Sequence, residues 1–145
     1  MRTRLGITAA TTAALLVSAA VMPAAAASRQ DIRITALTYF ATDPDPFTAS
    51  GLGAACADGT VVDGNAHLEF HRGAFVYAGF KVFTCDEDTG FVLRLNARFG
   101  DWGSEGTWAV VDAWGDLAGT SGAGSLVGGP LDGGITDTYS GTITR

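Results

Sequence analysis

Phe91-Val-Leu-Arg-Leu-Asn-Ala-Arg-Phe99 is the stretch that decides the fold. Phe91, Leu93, Leu95, Ala97 and Phe99 fall on every second position, and Arg94, Asn96 and Arg98 fall between them. In an extended chain successive side chains point to opposite faces, so a period of two gives a strand with an unambiguous inside. A helix would scatter the same residues around its circumference.

Upstream, the tight loop Asp86-Glu-Asp-Thr-Gly90 joins this strand to Ala74-Phe-Val-Tyr-Ala-Gly-Phe-Lys-Val-Phe-Thr-Cys85, and the pair reads as an antiparallel hairpin with Cys85 at its rim. Ala74–Cys85 is aromatic and β-branched on both faces, as expected of a central strand covered on both sides, and Gly79 in its middle predicts a bulge or bend. Before it, Arg72-Gly73 marks a turn, Ala66–His71 and Gly59–Asp63 read as two short strands, and a Gly-, Ala- and Ser-rich loop runs up to Cys56. Asp31–Phe40 alternates Ile32, Ile34 and Ala36 with Arg33 and Thr35, and Asp43-Pro-Asp-Pro46 ends it because proline cannot donate to a ladder.

Downstream come Gly106–Val111, Gly124–Val127 and a final run, Gly134–Thr144, in which Ile135, Asp137, Tyr139, Gly141 and Ile143 alternate with Thr and Ser. Trp108 shares a face with Val110 and reads as core. No apolar pattern of helical period is sustained after Ser28. About seven or eight strands at short spacing mean an all-β domain, either a β-sandwich or an antiparallel closed β-barrel. Nineteen of the twenty glycines follow the N-terminal segment and lie among strongly apolar runs, as barrel corners and bends require. The expected fold is a barrel of about eight strands.

The N-terminus has its own logic. Arg2 and Arg4 precede an uncharged stretch from Leu5 to Met22, Pro23 breaks any helix, and Ala25-Ala26-Ala27 offers the small-x-small pattern of a signal-peptidase site. A stretch of roughly 18 residues is just long enough to span a bilayer, but its dilution by Ala and Thr favours a cleaved signal over an anchor. The expectation is a signal peptide over 1–27 and one secreted domain over 28–145. Loss of Arg2 and Arg4 takes the net charge from −6 to −8. So acidic a balance argues against nucleic acid or an anionic membrane as partner. Two cysteines, Cys56 and Cys85, remain, and an exported chain is expected to pair them. A reactive thiol or a metal ligand would need a nearby His or a CxxC partner, which neither cysteine has.

Few residues suggest chemistry. His67, Glu69 and His71 form His-x-Glu-x-His, and on a strand they share one face about 7 Å apart. Two imidazoles and a carboxylate are a ligand set for zinc or non-haem iron, and this is the best single divalent-metal cluster in the sequence. Against it stands an ordinary solvated face, with Leu68 and Phe70 taking the core side. Asp86-Glu87-Asp88 and Asp43/Asp45 have the oxygen chemistry of a calcium site, though acidic residues also favour turns. Trp102 and Trp114 sit in Gly-rich loops, where an indole is harder to explain by packing alone and is a candidate for ligand contact. Asp137 and Tyr139 lie on the inward face of the last run. There is no Gly-x-Ser-x-Gly elbow, no Ser-His-Asp or Cys-His arrangement to infer, and no dinucleotide fingerprint.

From Cys85 onward the sequence resembles small secreted bacterial proteins related to the allene oxide cyclase and dirigent barrels. The residues that carry this are Phe83-Thr-Cys85-Asp86, Thr89-Gly90-Phe91 with its alternating strand, Gly106-Thr-Trp-Ala-Val110, Gly115-Asp-Leu-Ala-Gly119, Gly122-Ala-Gly124 and Asp137-Thr-Tyr-Ser-Gly-Thr142. Cys56 before Asp58-Gly59 looks like that group's partner cysteine. The resemblance implies an eight-stranded antiparallel barrel with a central apolar cavity. Plant members of the wider superfamily cyclise an unsaturated fatty-acid epoxide or steer phenoxy-radical coupling. Their polar catalytic residues have no position-by-position match here, and Ala113-Trp114-Gly115 stands where the group has Gly-Thr-Gly. Three functions follow as expectations. The first is a secreted barrel that binds a small apolar or aromatic molecule, or serves simply as a stable module. The second is an enzyme of the cyclase or radical-directing kind. The third is an extracellular interaction module. Polar residues pointing inward would favour the enzyme, and Asp137 is the one that the alternation supplies.

Overall fold

Closure follows from the pairing of the last strand with the first. The computed structural model describes residues 27–145, so the signal-peptide reading falls on residues outside those described, apart from its last position. Eight strands run up and down around one closed barrel, each antiparallel to the next: β1 Arg29–Tyr39, β2 Asp45–Ser50, β3 Asp58–His71, β4 Ala74–Thr84, β5 Gly90–Gly100, β6 Gly103–Trp114, β7 Ser121–Leu131 and β8 Gly134–Thr144. β8 pairs with β1 from Arg29↔Thr144 to Tyr39↔Gly134, which leaves no sheet edge and rules out the two separate sheets of a sandwich. Single 3-10 turns, Ala54–Cys56 and Gly115–Leu117, lie in two of the connections.

Alternation on β5 places Phe91, Leu93 and Leu95 in the interior and Arg94, Asn96 and Arg98 outside, as the sequence predicts. Elsewhere the ladder departs from the expected pattern. The Gly/Ala/Ser-rich stretch before Cys56 contains β2, which turns Phe47 inward beside Phe83 (ring centroids 5.1 Å apart). The two short strands read over 59–71 are one strand, β3, whose register shifts between Asp63 and Ala66. Val61 and Asp63 face inward before this bulge, and Ala66, Leu68 and Phe70 after it, opposite Gly79, Tyr77 and Phe75 of β4. The irregularity expected at Gly79 thus sits on its partner, and Gly79 accommodates it: a Cβ there would overlap Ala66.

β4 is not covered on both sides. In a single-walled barrel one face meets solvent, so Phe80 is left partly exposed while Lys81 turns inward and is buried. The glycines of β7 do not mark corners either. Gly122, Gly124 and Gly128 lie on its inward row, where they leave room for larger neighbours. Trp108 of β6 fills the space over Gly124 and Gly141, and its indole donates to the Ser125 carbonyl (3.0 Å).

The two ends of the barrel differ. At the end where β1 begins and β8 finishes, Phe83 stacks on Phe91 (4.8 Å) and meets Tyr139 edge-on (5.6 Å), with Ile34, Leu93, Leu117 and Ile143 around them. The Cys56–Cys85 disulfide closes this end by tying the 3-10 turn after β2 to the end of β4, Cα atoms 5.0 Å apart. Closing a loop of 29 residues stabilises the fold by about 3–4 kcal/mol in the chain-entropy account. Among the described residues no helix is long and apolar enough to cross a membrane.

Candidate functional site

Side chains fill the barrel only from one end. Toward the end where β3 turns into β4 and β5 into β6, the interior opens into a cavity of about 210 Å³. Its walls are apolar: Leu95, Ala97 and Phe99 of β5, Leu126 of β7 and Ile135 of β8. Leu68 and Phe40 stand at the mouth and are exposed. Beside them Phe70 and Phe75 meet edge-on and Phe75 stacks on Phe99, each pair 5.1 Å apart, so the inward row continues as an aromatic rim. An eight-stranded barrel has room to be filled or to hold one small ligand, and this one does each over half its length.

The floor of the cavity is polar. Lys81 enters from β4, and its ammonium lies 2.8 Å from the carboxylate of Asp63, which stands at the β3 bulge and is more than half exposed. Tyr77 donates its hydroxyl to Asp63 (3.1 Å), with the Phe80 carbonyl at 3.2 Å as a second acceptor. Across the barrel Ser104 of β6 donates to Asp137 of β8 (2.5 Å). These two residues flank β7, and they meet because Gly128 lies between them; any side chain there would overlap both.

Electrostatics follow from burial. Loss of solvent pushes the Asp137 carboxyl above the ordinary carboxylate range, opposed by the Ser104 hydrogen bond and by Lys81. Burial, reinforced by Asp137, drives the Tyr139 phenol far upward; burial, reinforced by Asp63, does the same to Tyr77. Both phenols are therefore neutral hydrogen-bonding groups. Tyr139 is 0% exposed, and among the described residues its hydroxyl has no partner; nor does Thr38 Oγ1 in the cavity wall. Tyr139 marks the change of layer, its ring in the aromatic core and its hydroxyl beneath the floor.

The residues singled out by sequence separate in space. Asp137 lines the cavity, and Tyr139 lies just below it. Trp102 is half-exposed in the turn between β5 and β6, at the open end but outside the cavity wall. Trp114 ends β6 at the opposite end, packed over Gly90. His67, Glu69 and His71 lie on the outer face of β3, where His67 pairs with Glu69 at 2.8 Å and the two side chains are 72% and 64% exposed. Among the described residues no three His, Cys, Asp or Glu side chains gather as a metal-holding group. The acidic turns spend their carboxylates on backbone: Asp45 accepts from Tyr39 N (3.0 Å) and Asp86 from Asp88 N (2.9 Å).

Lys81, Asp63, Tyr77 and Ser104 belong to the floor but were not legible as such. Lys81 sits among apolar residues on a strand whose two faces look alike, and Asp63 owes its inward direction to a bulge. Glycine was the available signal. The row Gly122-x-Gly124-x-Leu126-x-Gly128 has the period of a strand, and small residues on an inward row mean that neighbouring strands supply the large ones.

No family model matches this chain, and no curated protein matches it in sequence.

Proposed function

We propose that this protein works outside the cell that makes it, as a β-barrel that takes a small, mainly apolar or aromatic molecule into its half-filled interior. The observation that carries this reading is the cavity: apolar walls, an exposed aromatic rim and a few convergent polar groups at the floor are the ordinary make-up of a small-molecule site. Its size fits. A dry cavity of about 150 Å³ accepts benzene, so about 210 Å³ suits one substituted ring or a short branched chain. Location outside the cell is supported by the N-terminal pattern and by the disulfide, which persists in oxidising compartments. The resemblance to the allene oxide cyclase and dirigent-like proteins points the same way, although a barrel hosts many activities and does not itself define one.

Toluene tests the reading. Titrated into the protein and followed by methyl NMR, it is expected to move the signals of Leu95, Leu126 and Ile135 and to leave those of Ile32 and Leu117, at the packed end, in place. Absence of saturable shifts, or shifts spread evenly over both ends, would rule the cavity out. Ala97→Leu extends a wall residue into the cavity and is expected to abolish toluene binding while leaving the melting temperature unchanged or higher.

A second reading, in which the barrel transforms what it binds, is favoured by one observation. A buried carboxyl with a raised pKa, Asp137, is placed near a neutral phenol and an ammonium, the kind of group that acid–base chemistry uses. Mass spectrometry of ligand recovered after incubation separates the readings: an altered mass or isomer composition supports transformation, an unchanged ligand supports carriage.

A further inference from the structure

The floor of the cavity carries more hydrogen-bonding capacity than the protein spends on itself. Lys81 has three N–H donors, and among the described residues Asp63 is its one ion-pair partner. Asp137 offers lone pairs on two carboxylate oxygens, and among the described residues its one hydrogen bond comes from Ser104 to Oδ1. Lys81 and Asp137 carry opposite charges, come from different strands and line the same cavity. Yet among the described residues Asp137 makes no ion pair, and Lys81 turns to Asp63 instead.

What enters that space must suit both groups. An anion would add a third negative group beside Asp63 and Asp137, with a single ammonium to hold them. A cation would suit Asp137 but face Lys81, between apolar walls that make uncompensated charge costly. A neutral group with a donor and an acceptor satisfies both sides.

We infer that the ligand's head group is neutral and two-sided, accepting a hydrogen bond from Lys81 and donating one to Asp137, as an alcohol or a primary carboxamide does. Carboxylates and amines of the same size gain nothing from the floor. This rests on the uptake reading and adds to it the chemical class of the ligand. The raised pKa of Asp137 is consistent with it, being the sign of a floor that tolerates charge poorly. The remainder of the ligand is a ring or short chain against Leu95, Ala97 and Leu126, with its far end at the aromatic rim.

Five molecules sharing one ring test the inference at neutral pH: toluene, 2-phenylethanol, phenylacetamide, phenylacetate and 2-phenylethylamine. The alcohol and the amide are expected to bind about tenfold tighter than toluene or better, the worth of well-made hydrogen bonds at a buried site. The two ions should bind no tighter than toluene. Tighter binding of either ion than of both neutral compounds overturns the inference, and so do equal affinities for all five. If toluene itself does not bind, the uptake reading falls as well; if toluene binds and the polar heads add nothing, only the head-group inference falls. Lys81→Met should then remove the advantage of the neutral heads, keep toluene binding, and admit the amine beside Asp63 and Asp137. A Lys81→Met protein that binds toluene and still prefers the amide overturns the role of Lys81. Should that variant not fold, the wild-type series decides alone.

Discussion

At Asp137 the cost of placing a polar floor inside a barrel becomes measurable. Its carboxyl is raised above the ordinary value of 3.8 mainly by burial. The unfolded chain therefore gives up this proton at lower pH than the folded protein does. Between the two values the folded state binds more protons, so this group's contribution to stability falls as pH rises through that window, and the penalty is complete above the folded value. Asp137→Asn removes the titration and keeps an oxygen to accept from Ser104. The variant is expected to gain stability relative to the parent as pH rises from about 4 toward neutrality, with little difference at the acid end. Denaturant melts of both proteins across that range check this, and a stability difference that does not vary with pH would show that Asp137 keeps its ordinary value. The same comparison isolates Asp137 from the many exposed carboxylates, which titrate alike in both proteins.

At the scale of the element, β7 shows how a strand whose inward row is mostly glycine shapes the interior. Gly124 lies under the indole of Trp108, and a Cβ there would overlap the ring and the backbone of β8. Gly124→Ala is expected to destabilise the fold by about 1–3 kcal/mol, the usual cost of overpacking, and to shift the Trp108 contribution to near-ultraviolet circular dichroism. Gly129, the residue after the inward-facing Gly128, has an ordinary backbone, and a Cβ added to it would meet nothing within 4 Å. Gly129→Ala should be neutral or slightly stabilising. Equal effects of the two substitutions would mean that backbone entropy, not the space beneath Trp108, governs this strand. The contrast also shows which parts of the structure the residues announce. β5 was legible because its alternation runs unbroken from Leu93 to Phe99 with polar Arg94, Asn96 and Arg98 on the outer row. β2 was not, because in Asp45-Pro-Phe-Thr-Ala-Ser50 the one large apolar residue is Phe47 and the proline argues for a turn. β3 read as two strands because its inward residues switch from odd to even numbers at the bulge. Of the candidate site, Asp137 and Tyr139 were readable from the phase of β8, whereas Lys81 and Asp63 needed the register of two other strands.

Taken whole, the molecule divides its labour between two ends. The disulfide, the stacked pair Phe83–Phe91 and both 3-10 turns hold one end, while the cavity and its rim occupy the other. Stability and uptake should therefore respond separately to reduction. Breaking Cys56–Cys85, by a reductant or by the paired change Cys56→Ser and Cys85→Ser, frees a loop of 29 residues in the unfolded chain. The expected loss is about 3–4 kcal/mol, or about 12–16 °C in melting temperature for a domain of this size. Asp63, Tyr77 and Lys81 lie within that loop, but the floor is held by Asp63–Lys81 and Ser104–Asp137, contacts that reduction does not touch. Well below its melting temperature the reduced protein is thus expected to bind toluene with an affinity within about twofold of the oxidised form, a difference of about 0.4 kcal/mol. Calorimetric melting and the methyl titration, run on the same two samples, test both halves. A reduced protein that keeps its melting temperature would show that the disulfide contributes no stability. One that melts lower and also loses toluene binding at low temperature would show that the packed end sets the shape of the open one, and that the two halves of the barrel act as a single unit.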